Sequence, residues 1–134
     1  MRNRTTLILV IIVLTGLFKV SGQVKLEQIS SDTLSFCFPV THHKEYQKDA
    51  YKLVLSARNL SENVLTNEVF YDIYISLIDS SFYIDPVDYI LGPIDNLSNY
   101  QWNSKNNSII INYGSTEKKN LVLLIRNNQV FIEE

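Results

Sequence analysis

Apolar and polar residues alternate most clearly between residues 51 and 78. Residues 67–78 place one apolar row on a single strand face, formed by Val69, Tyr71, Ile73, Ile75 and Leu77. Phe70, Tyr74 and Ile78 fall on the opposite face, so both faces of this segment are partly apolar. The pattern therefore predicts a central strand, or one whose outer face is covered by a loop or a partner.

The preceding segment fits two different periods. Alternation over residues 51–57 predicts a strand with Tyr51, Leu53, Leu55 and Ala57 on one face. Apolar residues also recur at helical spacing over residues 45–60, and this predicts an amphipathic helix as the alternative. We favour the strand, followed by a turn at residues 58–63, because Asn and Ser reverse the chain through their own side chains.

The same patterns divide the rest of the chain. Further strands are predicted at residues 24–29, as an edge strand, and at 33–40, 108–113, 121–126 and 129–133. Polar or loop-rich connections are predicted at residues 41–50 (a loop or the start of a helix), 79–100 (with short strands at 81–84 and 89–91), 101–107 and 114–120.

Asparagine takes the place of glycine in the predicted turns. Residues 23–134 contain only Gly92 and Gly114, whereas Asn recurs between the predicted strands. Because Asn tolerates a positive φ, we expect it at the turn positions that need one. Asn127 and Asn128 form a two-residue link that suits a type I′ hairpin turn.

Seven or eight short strands without a strong helix predict an all-β, antiparallel sandwich. In the segment YKLVLSARNLSENVL, apolar residues alternate along a strand that ends in Asn-x-Ser and is followed by another apolar residue. This pattern resembles one found in bacterial immunoglobulin-like domains, and the matching positions are Tyr51, Leu53, Leu55, Asn59, Ser61 and Leu65. This resemblance implies an immunoglobulin-like sandwich and carries no function. The alternative is an α+β fold with the helix at residues 45–60.

The N-terminus has the layout of a secretory signal peptide. Arg2 and Arg4 precede an apolar run at residues 7–18, and residues 20–22 offer a cleavage site before Gln23. We therefore expect a signal peptide at residues 1–22 and a single domain at residues 23–134, with no membrane span after cleavage. A lone cysteine, Cys37, allows no internal disulfide. Because small extracellular animal domains are disulfide-rich, we expect a bacterial protein that is secreted or periplasmic.

Charge argues against nucleic acid as a partner. Loss of residues 1–22 removes three basic residues, which leaves 9 basic against 14 acidic side chains and a net charge of −5. Nucleic acids and anionic membranes require basic footprints instead. An acidic stretch without any Lys or Arg lies between Arg58 and Lys105, with its acids at Glu62, Glu68, Asp72, Asp79, Asp85, Asp88 and Asp95.

No catalytic motif is present in the chain, and no cofactor is expected. His42 and His43 are the only histidines; with Glu45 they would supply too few ligands for zinc, so we expect a solvated loop. Cys37 lies between Phe36 and Phe38, which indicates a structural strand thiol. Asp79, Asp85 and Asp88 are the candidates for a calcium site, although no calcium-binding loop motif is present, and Asp85 and Asp88 are the candidates for carboxylate catalysis.

Aromatic residues accompany the acidic stretch. Tyr and Trp in loops are typical anchors of protein interfaces, although they are also typical of sandwich cores. The predicted binding surface consists of Asp79, Phe82, Tyr83, Asp85, Asp88, Tyr89, Asp95 and Trp102. We therefore expect an exported, non-enzymatic domain that binds another protein or takes part in an envelope assembly. The alternative is a periplasmic inhibitor or immunity protein that acts against a basic enzyme or toxin.

Overall fold

Nine antiparallel strands form the part of the chain that the structure describes, residues 23–30, 40–81 and 85–133 of a computed structural model. The strands are β1 (Lys25–Ile29), β2 (Thr41–Lys48), β3 (Tyr51–Asn63), β4 (Glu68–Asp79), β5 (Val87–Asp95), β6 (Asn99–Asn103), β7 (Ser108–Tyr113), β8 (Lys119–Arg126) and β9 (Gln129–Ile132). The described residues include no helix, so none that is long and apolar enough to cross a membrane.

The strands form two sheets, in the orders β1-β5-β4-β3-β2 and β6-β7-β8-β9. Each sheet contains a run of consecutive hairpins, and β1 adds to the first sheet beside β5. One buried cluster draws side chains from both sheets, which makes the protein a β-sandwich. The all-β prediction is thereby confirmed with nine strands instead of seven or eight, while the immunoglobulin-like resemblance stays a prediction.

Strict alternation on the central strands builds this core. Ile73 and Ile75 of β4 are fully buried, and Leu55 of β3 lies opposite Ile75 in the ladder. Ile109 and Ile111 supply the corresponding buried row from β7. Burying one such aliphatic side chain contributes about 1.5–3 kcal/mol. The predicted central position of β4 is confirmed, because β4 pairs with β3 on one side and β5 on the other.

The strand interpretation of residues 51–57 is confirmed, and the alternative helix over residues 45–60 is wrong. The prediction of a loop or helix start at residues 41–50 is also wrong, because β2 occupies most of that segment. Its sequence is polar because β2 lies at a sheet edge, where most of its side chains remain exposed. A bulge between Thr41 and Lys44 further disturbs the alternation.

The predicted turn at residues 58–63 lies several residues too early. The β3–β4 ladder continues to the pair Asn63↔Glu68, and the chain reverses at residues 64–67. The ladder shifts register at a bulge between Asn59 and Ser61 and then continues, so these polar residues belong to the strand instead of forming a turn.

Two other predicted connections contain strands. β5 contains the predicted short strand at residues 89–91 and continues through Gly92 and Pro93, where the pairing with β4 shifts register between Tyr71 and Ile73. Proline is tolerated at such a bulge because it need not donate to the ladder there. A Cβ at position 92 would collide with the Asp72 carboxylate, so a larger residue there would force the Asp72 side chain to move. Residues 101–103, predicted as part of a turn, belong to β6 instead.

Several predictions fall outside the described residues. They are the signal peptide at residues 1–22, the strand at 33–40 with Cys37 except for its last residue, and Phe82 and Tyr83 of the predicted binding surface. Most of the predicted short strand at 81–84 also lies outside the described residues.

Asparagine occupies most of the positive-φ positions that the described chain requires, as predicted. The non-glycine residues with positive φ are His42, Asp49, Asn67, Asn96, Asn107, Asn127 and Asn128. Asn127 and Asn128 have φ values of 50° and 58°, which fits the type I′ turn between β8 and β9.

Replacement of Asn127 by Ala tests this turn. We expect Asn127→Ala to lower the free energy of unfolding by about 1–2 kcal/mol, because alanine pays the full steric cost of the left-handed region. Asn127→Gly is the matched control and should leave the stability nearly unchanged. Urea denaturation measures both, and equal stability of the alanine and glycine variants would contradict this account of the turn.

Candidate functional site

The predicted binding surface does not form one exposed patch. Asp79 and Asp88 are buried, with relative exposures of 8% and 2%, and Tyr89 belongs to the core at 5%. Tyr89 faces inward because it follows the alternation of β5, and its hydroxyl accepts a hydrogen bond from the Val130 amide at 3.2 Å. These three residues are therefore buried in the structure and do not offer exposed side chains to the predicted surface.

The other described members of that surface are separated. Asp85 is exposed just before β5, whereas Asp95 is half-buried at the far end of the same strand. Trp102 lies on β6 in the opposite sheet. Asp79 accepts hydrogen bonds from the amide and hydroxyl of Ser81. Among the described residues, no three His, Cys, Asp or Glu side chains form a group that could hold a metal ion.

The acidic stretch is partly compensated by a cation outside it. Arg58 and Asp72 lie opposite each other on β3 and β4, and their side chains form an ion pair at 3.3 Å. The Arg58 guanidinium also lies 5.4 Å from the centre of the Tyr74 ring. Asp72 of the acidic stretch is therefore paired with a cation, since the arginine just before the stretch lies directly across the ladder.

The two histidines point to different neighbours. His43 contacts Ser56 Oγ at 2.8 Å and Glu45 at 3.3 Å. His42, in the bulge of β2, contacts Thr41 Oγ1 at 3.0 Å, and its ring forms a T-shaped contact with the Tyr71 ring. The Glu45 carboxylate also forms an ion pair with Lys52 at 2.8 Å, and this contact and the one from His43 hold the pKa of Glu45 below its usual value.

A cleft of about 370 Å³ opens between the two sheets at one end of the sandwich. Three turns surround it, namely those that join β2 to β3, β6 to β7 and β8 to β9. This volume lies within the usual range for ligand pockets. We call it the end cleft; its lining residues include Tyr46, Lys48, Asp49, Tyr51, Leu53, Leu77, Trp102, Asn107, Ile125, Arg126, Asn127 and Asn128.

An aromatic stack forms one wall of the end cleft. Tyr46 and Trp102 come from the edge strands β2 and β6, and their rings lie parallel with centres 5.4 Å apart. Behind them, the hydroxyl of buried Tyr100 has no hydrogen-bond partner among the described residues. The pKa of Tyr100 is raised above its usual range, mainly by burial and to a smaller extent by the neighbouring Tyr46.

Lys48 joins the two sheets beside this wall. Its ammonium group donates to the Ser104 carbonyl and to Asn107 Oδ1, both at 2.6 Å. Both acceptors belong to the β6–β7 connection, whereas Lys48 ends β2. The two bonds therefore hold the edge strands β2 and β6 together at this end of the sandwich. We call this pair of hydrogen bonds the lysine clamp.

The floor of the end cleft is apolar and its rim is charged. Leu53 and Leu77 are nearly fully buried at its base. Arg126 and Asp49 are exposed at its rim, and among the described residues neither forms an ion pair. An apolar base with a few polar groups around it is the usual composition of a ligand pocket.

Sequence reasoning did not identify the end cleft. Only Trp102 among its lining residues was predicted to bind, and it was assigned to a different surface. The available signal was the Asn127–Asn128 turn, since turns at one end of a sandwich are frequent binding sites. The other turns of that end fall at positions 49–50 and 104–107, where the sequence predicted a loop or helix start and part of a turn region.

A second exposed feature lies at the opposite end of β3 and β4. Residues 60–68, which we call the hairpin tip, include Leu60, Val64 and Leu65 with relative exposures of 44%, 80% and 95%. The tip is internally hydrogen-bonded, since the Leu65 amide donates to Asn63 Oδ1 and Thr66 Oγ1 donates to Glu68. It therefore presents apolar side chains on a hydrogen-bonded turn.

Comparison of the chain with family models, curated proteins and solved structures gives no match.

Removal of the lysine clamp tests its structural role. We expect Lys48→Met to lower the free energy of unfolding by about 1–3 kcal/mol, because the Ser104 carbonyl and Asn107 Oδ1 lose a charged donor. Lys52→Met is the matched control, since it removes an exposed pair with Glu45, which contributes little to stability, and should cost clearly less than Lys48→Met. Equal losses for the two variants in urea denaturation would show that the clamp adds no stability.

The raised pKa of Tyr100 predicts that the protein loses stability in alkali. Burial raises the pKa of Tyr100 in the folded protein, so the folded state resists ionisation of its hydroxyl. The free energy of unfolding is therefore unaffected by this ionisation below about pH 10 and falls as the pH rises above that value. Tyr100→Phe should raise the free energy of unfolding at pH 7 by about 1 kcal/mol, because an unpartnered buried hydroxyl is removed. It should also make the decline between about pH 10 and 11 shallower.

Urea denaturation at a series of pH values measures this effect, with Tyr51→Phe as a control at an exposed tyrosine. A Tyr100→Phe curve parallel to that of the unmodified protein above pH 10 would contradict the assignment.

Proposed function

We propose that this protein is an exported, non-enzymatic β-sandwich domain that binds another protein through its hairpin tip, in the bacterial envelope or outside the cell. The observation that carries the proposal is the exposure of Val64 and Leu65, 80% and 95%, side by side on one turn. Export follows from the pattern of basic and apolar residues at positions 1–22.

The structure of the hairpin tip suits it to insertion into a partner. Leu60, Val64 and Leu65 would supply the apolar area that drives association. The hydrogen bonds from the Leu65 amide to Asn63 Oδ1 and from Thr66 to Glu68 already order the turn, so binding loses less conformational entropy. The proposed contact is thus a small apolar anchor that enters a pocket on the partner.

Charge defines the partner more closely. Glu62 and Glu68 flank the apolar turn, and the sequence contains no Lys or Arg from residue 59 to residue 104. A partner with a basic rim around an apolar pocket would match this arrangement and would associate faster for that reason. The acidic flank also favours the second candidate function, inhibition of a basic enzyme or toxin by occlusion of its site.

A double substitution at the hairpin tip tests the proposal. The protein and its Val64→Ser/Leu65→Ser variant are used to capture proteins from an envelope extract, and the recovered partner is purified for calorimetry. We expect the variant to bind that partner at least about tenfold more weakly, since two apolar anchors are lost. Phe131→Ser is the matched control, because Phe131 is also exposed, at 45%, but lies on β9.

Charge reversal separates the two candidate functions. Glu62→Lys/Glu68→Lys should slow association with a basic partner and reduce its dependence on salt. Loss of inhibition in an activity assay of that partner would select the inhibitor. Undiminished binding by the Val64→Ser/Leu65→Ser variant would refute the role of the hairpin tip.

A further inference from the structure

We propose that the end cleft is a binding site for a carboxylate carried on an apolar body. This site is separate from the hairpin tip, because β3 runs from Tyr51 at the cleft to Asn63 near the tip, about 40 Å in an extended strand. The proposal depends on what surrounds the cleft and does not rest on the function proposed for the tip.

Two cations provide the anion-binding groups. Lys48 has three donors, of which the Ser104 carbonyl and Asn107 Oδ1 take two, so one donor remains for a ligand. Arg126 lines the same cleft and forms no ion pair among the described residues. A guanidinium group binds a carboxylate through two parallel hydrogen bonds, and an ammonium group adds a point charge.

The apolar body is matched by the floor and one wall. Leu53 and Leu77 close the base of the cleft at 2% and 3% exposure, and Ile125 is half-buried beside them. Tyr51, 37% exposed, provides an aromatic side chain at the opening. A ligand that places a hydrocarbon or aromatic group on this base gains free energy in proportion to the apolar area removed from water.

The charge of the cleft favours this ligand over a neutral sugar. Tyr46 and Trp102 are stacked on each other with an interplanar angle of 14° and form its aromatic wall. The excess of positive charge, two cations to the single carboxylate of Asp49, further selects an anion in a chain whose overall net charge is −2.

Asp49 limits the affinity and helps to test the site. Its exposed carboxylate lines the cleft from the β2–β3 turn, held there by a φ of 53°. A bound carboxylate is repelled by Asp49, so Asp49→Asn should bind an anionic ligand more tightly. A neutral ligand would not respond in this way.

The experiment uses ¹⁵N-labelled protein and the emission of Trp102, the only tryptophan of the chain. The probe is 3-phenylpropionate, and its neutral amide is the matched control ligand. We expect the acid to shift the amides of the β8–β9 turn and the emission of Trp102, and to bind about tenfold or more tightly than the amide. A peptide that ends in phenylalanine, with a free or an amidated C-terminus, forms the second arm.

Substitutions then locate the binding group. Arg126→Gln should raise the Kd for 3-phenylpropionate about tenfold, and Asp49→Asn should lower it. Lys119→Gln is the matched control, since Lys119 is exposed at the other end of β8. Binding by 3-phenylpropionate alone identifies a free organic acid as the ligand class, whereas tighter binding by the peptide with the free C-terminus identifies a protein terminus.

Three results would overturn the proposal. They are equal affinity for the acid and the amide, an unchanged Kd in Arg126→Gln, and no shift at about 10 mM probe. Stronger binding of a neutral disaccharide at the same amides would also overturn it, because such a ligand does not need the cations. Failure of this site would leave the hairpin tip untouched, since that is tested with a protein partner.

Discussion

Leu55, Ile75 and Ile111 belong to one buried cluster between the two sheets, and the remaining features of the protein depend on that burial. Hydrogen bonds give each sheet its order, but only the apolar inner faces hold one sheet against the other. The core occupies the middle of the sandwich. Beyond it, turns and polar side chains decide how each end closes, and the two ends differ.

At one end, the sheets remain apart and are joined by the lysine clamp. Lys48 spans the gap because an ammonium group on a flexible stem reaches acceptors in the facing β6–β7 turn. The clamp and the Tyr46–Trp102 stack close one side of the end cleft, while Leu53 and Leu77 form its base. Neighbouring side chains thus form both a structural contact between the sheets and one wall of the cleft proposed to bind a ligand.

At the other end, β3 and β4 extend to the hairpin tip. Its apolar residues are exposed, in contrast to Ile73 and Leu77 of the same hairpin, because they lie beyond the facing sheet. Large exposed apolar side chains on an ordered turn are a recognised mark of an interaction site. The proposed protein contact and the proposed ligand site therefore lie at separate ends of the sandwich.

Alternation in the sequence determined the strands at residues 51–57, 67–78 and 108–113, and Asn determined the positive-φ turns, because both depend on neighbours in the chain. The sequence pattern did not predict edge strand β2 or the part of β5 that passes through Gly92 and Pro93. Pairing with a neighbouring strand overrides the polar or turn-forming composition of these segments. Only the tertiary structure buried Asp88 and Tyr89, paired Asp72 with Arg58, and assembled the end cleft. That cleft joins turns from strands up to about 80 residues apart in sequence, and only the packing of two sheets brings such positions together.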